Sequence, residues 1–326
     1  MRGTGTGSFA RPHGMQIFAE FRHPTRWYSK LVAALLALSF FTLLAAAIIA
    51  GYIVYRIVAP VGGESAIDLT NFPGRPEDVV YSLPDGGERS GWFFPGLTSA
   101  PTVVLCAGYQ TGRGESLPLA AAIQDHGYNV FVFDFRGSPS GGRYSTLGYG
   151  EAGELRAAMA AVAQREDVDR SRFGLWGSDL GGYVAVFVAQ SDSRVRALTV
   201  ESVYDQPQDM AAILVDRQGV ASLPLLGNFA RKGFSWLHYS ERGIPPLSAN
   251  LDRLAGVPKL FLATSQEPVL AAATQEIFQL APEPKEIEIL THGKYAGLMD
   301  EEKRNYENRL VSFFLLNLPL VAPAAQ

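Results

Sequence analysis

The sequence has little of several residue types that mark specialised protein classes. It contains one cysteine and five histidines, and its lysines and arginines do not cluster in the folded part of the chain. A single cysteine, Cys106, excludes an internal disulfide and is most often a small buried hydrophobe. The scattered positive charge and the net charge of −4 argue against a nucleic-acid partner. No spacing of histidines, cysteines and carboxylates has the pattern of a metal site, so we expect neither metal nor cofactor.

One long stretch lacks charge altogether. Residues 31–54 are uncharged and almost wholly apolar, and as a helix they would extend about 36 Å, enough to cross a hydrocarbon core of about 30 Å. A secretory signal peptide usually has a shorter apolar region of about 7–15 residues. A buried helix of a soluble domain would usually show a polar face, which is missing here. We therefore predict a transmembrane helix over residues 31–56, with the lipid bilayer as its partner.

The charges beside this helix predict its orientation. Arg11, Arg22, Arg26 and Lys30 precede it closely, whereas only Arg56 follows at a comparable distance. Basic flanks remain on the cytoplasmic side of a membrane. We expect a single-pass membrane protein with a cytoplasmic N-terminus and a folded domain outside the cytoplasm.

The α/β domain starts with one hairpin, whose turn is Pro84-Asp85-Gly86-Gly87, and from Thr102 the pattern alternates between short apolar strands and helices. Near-continuous apolar strands that alternate with helices predict an α/β fold, with a mainly parallel sheet and helices on both faces. Residues 203–256 interrupt the alternation, and at about fifty residues they are too long for a simple loop, so we expect a cap insertion. The predicted organisation is a disordered basic arm (1–30), a transmembrane helix (31–56), a linker (57–77), an α/β domain (78–318) and a tail (319–326).

The most informative motif is a strand followed by a glycine-rich corner. Phe173–Trp176 is apolar and is followed by Gly-Ser-Asp-Leu-Gly-Gly and an apolar helix start. In such an elbow the central residue is raised on a strained turn, while Gly177 and Gly181 leave room around it. The raised residue here is Asp179, where most elbows carry serine. Ser178 is one position away and serves only as a backup nucleophile, because the turn decides which side chain is raised.

Three stretches together resemble a known family. They are VVLCAG followed by Tyr109, the Gly127–Gly137 segment with its Asp-Phe-Arg-Gly end, and Trp-Gly-Ser-Asp-Leu-Gly-Gly. These residues resemble the α/β-hydrolase superfamily, particularly its serine-aminopeptidase-like (S33-type) and bacterial esterase or lipase branch. The resemblance covers roughly residues 75–318. It implies a catalytic triad in the chain order nucleophile, acid, histidine, and an apolar or acyl-type small-molecule substrate.

The resemblance also suggests the acid. Glu267 follows the strand after the cap, at the place where the family usually has aspartate before Pro-Val. A carboxylate there would orient the catalytic imidazole. Glu267 is equally explained as a first-turn acid at a helix N-terminus. Glu201 and Asp205, after the preceding strand, are alternative acids.

The histidine and the oxyanion hole complete the expected site. His292 lies after the last strand, but an ungapped match to the family places Tyr295 in the histidine position, and a loop deletion would restore His292. The oxyanion hole needs two backbone N–H groups. The resemblance assigns these to Tyr109 and Leu180, and backbone donors do not depend on the side chain.

An aspartate at the elbow leaves two hypotheses, of which the first is our prediction and the second its alternative. In the first, Asp179 is the nucleophile of a hydrolase, as in haloalkane dehalogenases and epoxide hydrolases, with His292 as base and Glu267 as acid. Those enzymes usually have tryptophan after the aspartate, where this chain has Leu180. In the second, the chain is a pseudo-hydrolase, a membrane-anchored binding or scaffold domain. A contact between Asp179 and His292 would favour catalysis.

Overall fold

The computed structural model describes residues 27–60, 75–220 and 222–321. Most of the predicted basic arm, most of the predicted linker and most of the predicted tail lie outside these residues. The predicted domain boundaries therefore stay predictions. The predicted fold class is confirmed: one mixed sheet is covered by helices on both faces.

The sheet has eight strands in the order β1-β2-β4-β3-β5-β6-β7-β8. The first two form the predicted antiparallel hairpin, β2 pairs antiparallel with β4, and the other neighbours are parallel. The central strands are buried along their whole length, as continuous apolar runs require. The strands are β1 (Glu77–Ser82), β2 (Glu88–Phe94), β3 (Ala100–Cys106), β4 (Asn129–Phe133), β5 (Val168–Ser178), β6 (Val195–Glu201), β7 (Lys259–Thr264) and β8 (Lys285–Leu290).

The helices divide the hydrophobic core into two layers. One layer packs α2 and α8 against the sheet, and the other packs α3, α4 and α7 against its opposite face. The α-helices are α1 (Trp27–Val58), α2 (Leu117–Gln124), α3 (Glu151–Val162), α4 (Leu180–Ala189), α5 (Pro207–Val215), α6 (Pro224–Leu237), α7 (Pro268–Leu280) and α8 (Asp300–Asn317).

The apolar helix α1 is longer than predicted and is attached to the domain by its end. Its first part is largely exposed, whereas Ile57 and Val58 are buried in the core. The last carbonyls of a helix lack intrahelical partners. Here the Ile57 carbonyl accepts a hydrogen bond from the Tyr109 hydroxyl at 2.7 Å, and the Val58 carbonyl accepts one from the Ser145 N–H at 2.7 Å. The domain therefore caps the C-terminus of α1.

The segment between β6 and β7, predicted as a cap, is mostly helical. It contains α5, a π-helical turn (Asp216–Val220) and α6, followed by two 3-10 turns. Helix α6 packs directly on α1: a methyl group built on Gly233 would lie 3.4 Å from Val54 Cγ2. The cap and the apolar N-terminal helix thus form one packed unit.

Candidate functional site

The elbow is built as the glycine spacing predicts. Asp179 lies between the end of β5 and the start of α4. Its backbone has φ 39° and ψ −100°, a conformation that residues other than glycine rarely adopt. A methyl group on Gly181 would lie 1.9 Å from the Cys106 carbonyl oxygen, so only glycine permits this approach. Such strain persists because the surrounding structure enforces it. The Asp179 side chain is held at the carboxyl edge of the sheet and is only 4% exposed.

One oxygen of Asp179 occupies the predicted oxyanion hole. Asp179 Oδ1 accepts hydrogen bonds from the Tyr109 N–H at 2.5 Å and from the Leu180 N–H. Gly108 makes room for this, since a methyl group there would be 3.0 Å from Oδ1. The two donors predicted from the sequence therefore converge, but the oxygen they bind belongs to the protein. The carboxylate also lies at the N-terminus of α4, where the helix dipole stabilises negative charge.

The other oxygen of Asp179 is paired with Lys294. The Lys294 ammonium lies 2.7 Å from Asp179 Oδ2 and 3.4 Å from Glu267 Oε1. Arg217 of the cap lies 2.9 Å from the same oxygen of Glu267. Burial alone would lower the pKa of Lys294, but the charge and hydrogen bond of Asp179, aided by Glu267 and Glu201, raise it above its ordinary value. Lys294 is thus a protonated cation between two carboxylates.

His292 is not part of this cluster. Its Nδ1 lies 3.0 Å from Glu302 Oε1 and 3.0 Å from Thr291 Oγ1, and its side chain is 57% exposed. No ion-pair contact within 4 Å joins it to Asp179 in the part of the chain that the structure describes. The structure therefore brings Asp179 and Glu267 together through Lys294, and it leaves His292 near the surface.

Sequence reasoning missed Lys294. It immediately precedes Tyr295, the residue that an ungapped family match places in the histidine position. Two features of the sequence could have indicated this contact. The elbow carries an aspartate, and the short loop after the last strand carries a lysine. Opposite charges at two facing positions of a site favour an ion pair.

A third carboxyl group lies beside the elbow. Glu201, at the end of β6, is fully buried and accepts a hydrogen bond from the Tyr295 N–H at 3.0 Å. Ser178, the backup nucleophile, pairs with Glu201 across the two strands. Burial raises the pKa of Glu201 to about 7, against the opposing effects of the Ser178 hydroxyl, the Tyr295 N–H and the Lys294 charge. Tyr295 itself is buried, and its hydroxyl donates to Glu307 Oε1 at 2.8 Å.

The remaining candidates have structural partners. Asp205 accepts hydrogen bonds from the Ser248 N–H at 2.8 Å and from the Ser248 hydroxyl at 2.9 Å, which fixes the chain after α6. Cys106 is fully buried, and burial raises the pKa of its thiol. In the described ranges there is no group of three or more histidine, cysteine, aspartate or glutamate residues arranged to hold a metal ion.

Comparisons with known proteins agree with this fold. The family profile described as alpha/beta hydrolase fold matches residues 101–238. Uncharacterized protein MT2364 of Mycobacterium tuberculosis is 31% identical over 214 residues, covering 64% of this chain and 68% of the relative. Uncharacterized protein YfhR of Escherichia coli K12 is 23% identical over 253 residues, covering 74% of this chain and 82% of the relative. The solved structure of the Pyrococcus furiosus esterase PF2001 is 20% identical, has a TM-score of 0.64, and covers 80% of this chain and 98% of that chain.

Proposed function

Since the chain belongs to the α/β-hydrolase superfamily, we propose that it is a membrane-anchored member that binds rather than hydrolyses, because an internal ion pair closes its elbow site. The observation that carries this proposal is that both oxygens of Asp179 are already engaged. Oδ1 is bound by two backbone N–H groups, and Oδ2 is bound by Lys294. This is the second of the two hypotheses that the sequence leaves open.

Ester or amide hydrolysis is disfavoured by the state of the oxyanion hole. The substrate carbonyl oxygen must accept hydrogen bonds from the hole as negative charge develops on it. The N–H groups of Tyr109 and Leu180 instead donate to Asp179. A carboxylate that attacked an ester would also form an anhydride, which is an unfavourable intermediate.

Attack on an alkyl carbon, as in haloalkane or epoxide hydrolysis, is disfavoured by Lys294. Only Oδ2 remains for such an attack, and it is held 2.7 Å from the ammonium. The covalent intermediate would then need a base to activate water. Lys294 is protonated and cannot accept a proton, and His292 is paired with Glu302.

The hydrolase hypothesis remains the second candidate. It takes Asp179 as nucleophile, His292 as base and Glu267 as acid, acting on a small or acyl-type apolar substrate. It requires the Lys294 ammonium to move away from Asp179. It also requires His292 to break its contact with Glu302 and turn towards Asp179. The intact glycine frame around Asp179 favours it, but no described contact does.

A retained membrane anchor is supported by the exposed part of α1. That part presents many large apolar side chains, which in water would form an unusually extensive apolar surface. Its last turns, with Ile57 and Val58, belong to the domain core, so removing the helix as a signal sequence would open that core. By the distribution of basic residues, the N-terminus is cytoplasmic and the folded domain is extracytoplasmic.

The proposal is tested by a search for covalent intermediates. The full chain in detergent is exposed to panels of activated esters, epoxides and haloalkanes, and its intact mass is measured. The matched control is Asp179→Asn, which keeps the shape and removes the charge. We expect no adduct on either protein. An adduct on the natural chain that is absent from Asp179→Asn would establish Asp179 as a nucleophile and overturn the proposal.

A further inference from the structure

An apolar groove lies between α1 and the cap, outside the elbow site. Its volume is about 620 Å³, within the range of about 300–1,000 Å³ typical of small-molecule sites. Gly51, Val54 and Val58 of α1 form one wall, and Gly233, Trp236 and Leu237 of α6 form the other. The polar side chains of the lining are those of Tyr55, Tyr144, Ser145, Thr146, Trp236, His238 and Glu241.

The groove lies at the C-terminal end of the predicted membrane span, where α1 begins to pack on the domain. The largely exposed part of α1, residues 27–49, spans about 34 Å as a helix, close to the thickness of a hydrocarbon core. Gly51 lies two residues further along the helix. Tyr52 and Tyr55 stack on each other, and Tyr55 also contacts Tyr144, beside the exposed Trp236. Tyrosine and tryptophan concentrate at membrane–water interfaces, so these rings mark the level of the lipid headgroups.

Helix α6 presents an apolar face at the same level. Leu225, Phe229 and Trp236 are exposed, and their spacing places them on one side of the helix together with the exposed Lys232, whose long side chain can reach the headgroups. Gly227, Ala230 and Phe234 are buried on the other side, against the domain. An amphipathic helix of this kind lies in the interface plane with its apolar face in the lipid. The groove is therefore open towards lipid, because both of its walls continue into lipid-facing surfaces.

We propose that the α1–α6 groove binds one acyl chain of a bilayer phospholipid. This inference rests on the membrane anchoring proposed above and is independent of the state of Asp179. Because the groove is continuous with the lipid-facing surface of α1, the apolar molecules that reach it first are the acyl chains of the bilayer. The groove would hold a chain between Val54 and Trp236, with its mouth at Gly51.

Photo-crosslinking in vesicles tests this proposal. The full chain is reconstituted in phosphatidylcholine vesicles that contain a phosphatidylcholine with a diazirine near the end of one acyl chain. After illumination, adducts are mapped by peptide mass spectrometry. We expect adducts on residues 31–49, from the surrounding lipid, and also on Tyr144–Thr146, which line the groove.

A variant that fills the groove distinguishes crosslinking by a lipid bound in the groove from crosslinking by the surrounding lipid. Gly51→Phe introduces a large side chain where a methyl group meets no atom within 4 Å. It should lower the groove adducts about fivefold relative to those on residues 31–49, because close-packed space excludes a second occupant. Ala45→Phe, also on α1 but not lining the groove, should leave the ratio unchanged. Leu237→Asn, at an exposed position of the wall, should lower it as Gly51→Phe does.

The outcomes distinguish the groove from the anchor. Adducts on residues 31–49 without adducts on Tyr144–Thr146 would show that the groove does not bind an acyl chain, while still supporting the membrane anchor. Groove adducts that persist in both Gly51→Phe and Leu237→Asn would also overturn it. The absence of adducts at both locations would rule out acyl-chain binding in the groove and would also rule out the membrane anchor.

Discussion

At the scale of the residue, the exchange of serine for aspartate changes what the elbow does. A serine hydroxyl offers one oxygen close to the turn, whereas a carboxylate reaches further and carries two. One oxygen of Asp179 meets the N–H groups of Tyr109 and Leu180, and the other meets Lys294. The charged hydrogen bonds stabilise the strained turn. The same backbone that serves a nucleophile in other hydrolases here positions one end of an ion pair.

The Asp179–Lys294 pair should contribute strongly to stability. Removing one partner of a buried pair leaves an uncompensated charge and typically costs about 3–5 kcal/mol. Because Lys294 is 23% exposed and Asp179 keeps two N–H donors, we expect Lys294→Met to lower the free energy of unfolding by about 2 kcal/mol. In the double variant Asp179→Asn/Lys294→Met much of this loss should be recovered. Denaturant unfolding of the natural chain, the two single variants and the double variant gives the coupling free energy between Asp179 and Lys294. If the losses of the two single variants simply add up in the double variant, the two side chains are not coupled.

Glu201 should make stability depend on pH. Its pKa rises from 4.5 to about 7 on folding, because burial disfavours the charged form. The folded state thus binds an extra proton between these values, and this contribution to stability is full below pH 4.5 and lost as the pH rises through 7. Glu201→Gln removes the dependence and should be more stable than the natural chain above pH 7 by up to about 3 kcal/mol.

Thermal unfolding at a series of pH values measures this difference. The midpoint of Glu201→Gln should approach that of the natural chain near pH 5 and exceed it by several degrees near pH 8. The exposed Glu166→Gln serves as the control and should follow the natural chain at all pH values. A constant difference between Glu201→Gln and the natural chain across this range would show that Glu201 does not titrate near neutral pH.

At the scale of the element, the C-terminus of α1 is joined to the loop that carries an oxyanion-hole donor. The hydroxyl of Tyr109 donates to the Ile57 carbonyl, while its backbone N–H donates to Asp179. One residue therefore links the apolar helix α1 to the elbow. This link depends on a helix carbonyl that has no partner within its own helix.

Loss of that hydroxyl should loosen the end of α1 without disturbing the elbow. Tyr109→Phe removes one hydrogen bond, worth about 1 kcal/mol, and leaves an unsatisfied carbonyl. We expect faster amide hydrogen exchange in residues 50–58 and unchanged exchange in β5 and α4. Tyr52→Phe, which changes an exposed ring of the same helix, is the matched control. Equal exchange in residues 50–58 for Tyr109→Phe and the natural chain would rule out this link.

The elements themselves were largely predictable from the sequence. The parallel strands are continuous apolar runs, and the hairpin has its turn residues at the expected place, so their periodicity alone identifies them. The elbow followed from two glycines and the apolar residues on either side. The contacts of the loop after β8 were not predictable, because a loop's backbone path and not its composition decides which side chain faces the elbow. The sequence offers His292 and Tyr295 for that position, whereas Lys294 between them makes the contact.

At the scale of the whole molecule, the proposed membrane orientation can be tested by cysteine labelling, because the sequence has a single cysteine. Cys106 is buried, so one introduced cysteine is a clean reporter. In right-side-out vesicles, Ser312→Cys on the exposed surface of α8 should react with a membrane-impermeant maleimide. Thr4→Cys should react only after permeabilisation, because the basic flank keeps the N-terminus inside. The reverse pattern would invert the proposed orientation.

We expect the Asp179–Lys294 pair, and not the fold, to be what prevents hydrolysis by this protein. The most direct measurement compares hydrolysis of a short-chain activated ester by the natural chain and by the double variant Asp179→Ser/Lys294→His. The double variant places a serine on the elbow, empties the oxyanion hole and sets an imidazole near Glu267. We predict background rates for the natural chain and hydrolysis above background for the double variant. Background rates for the double variant, or hydrolysis by the natural chain that Asp179→Asn abolishes, would show that the pair does not have this role.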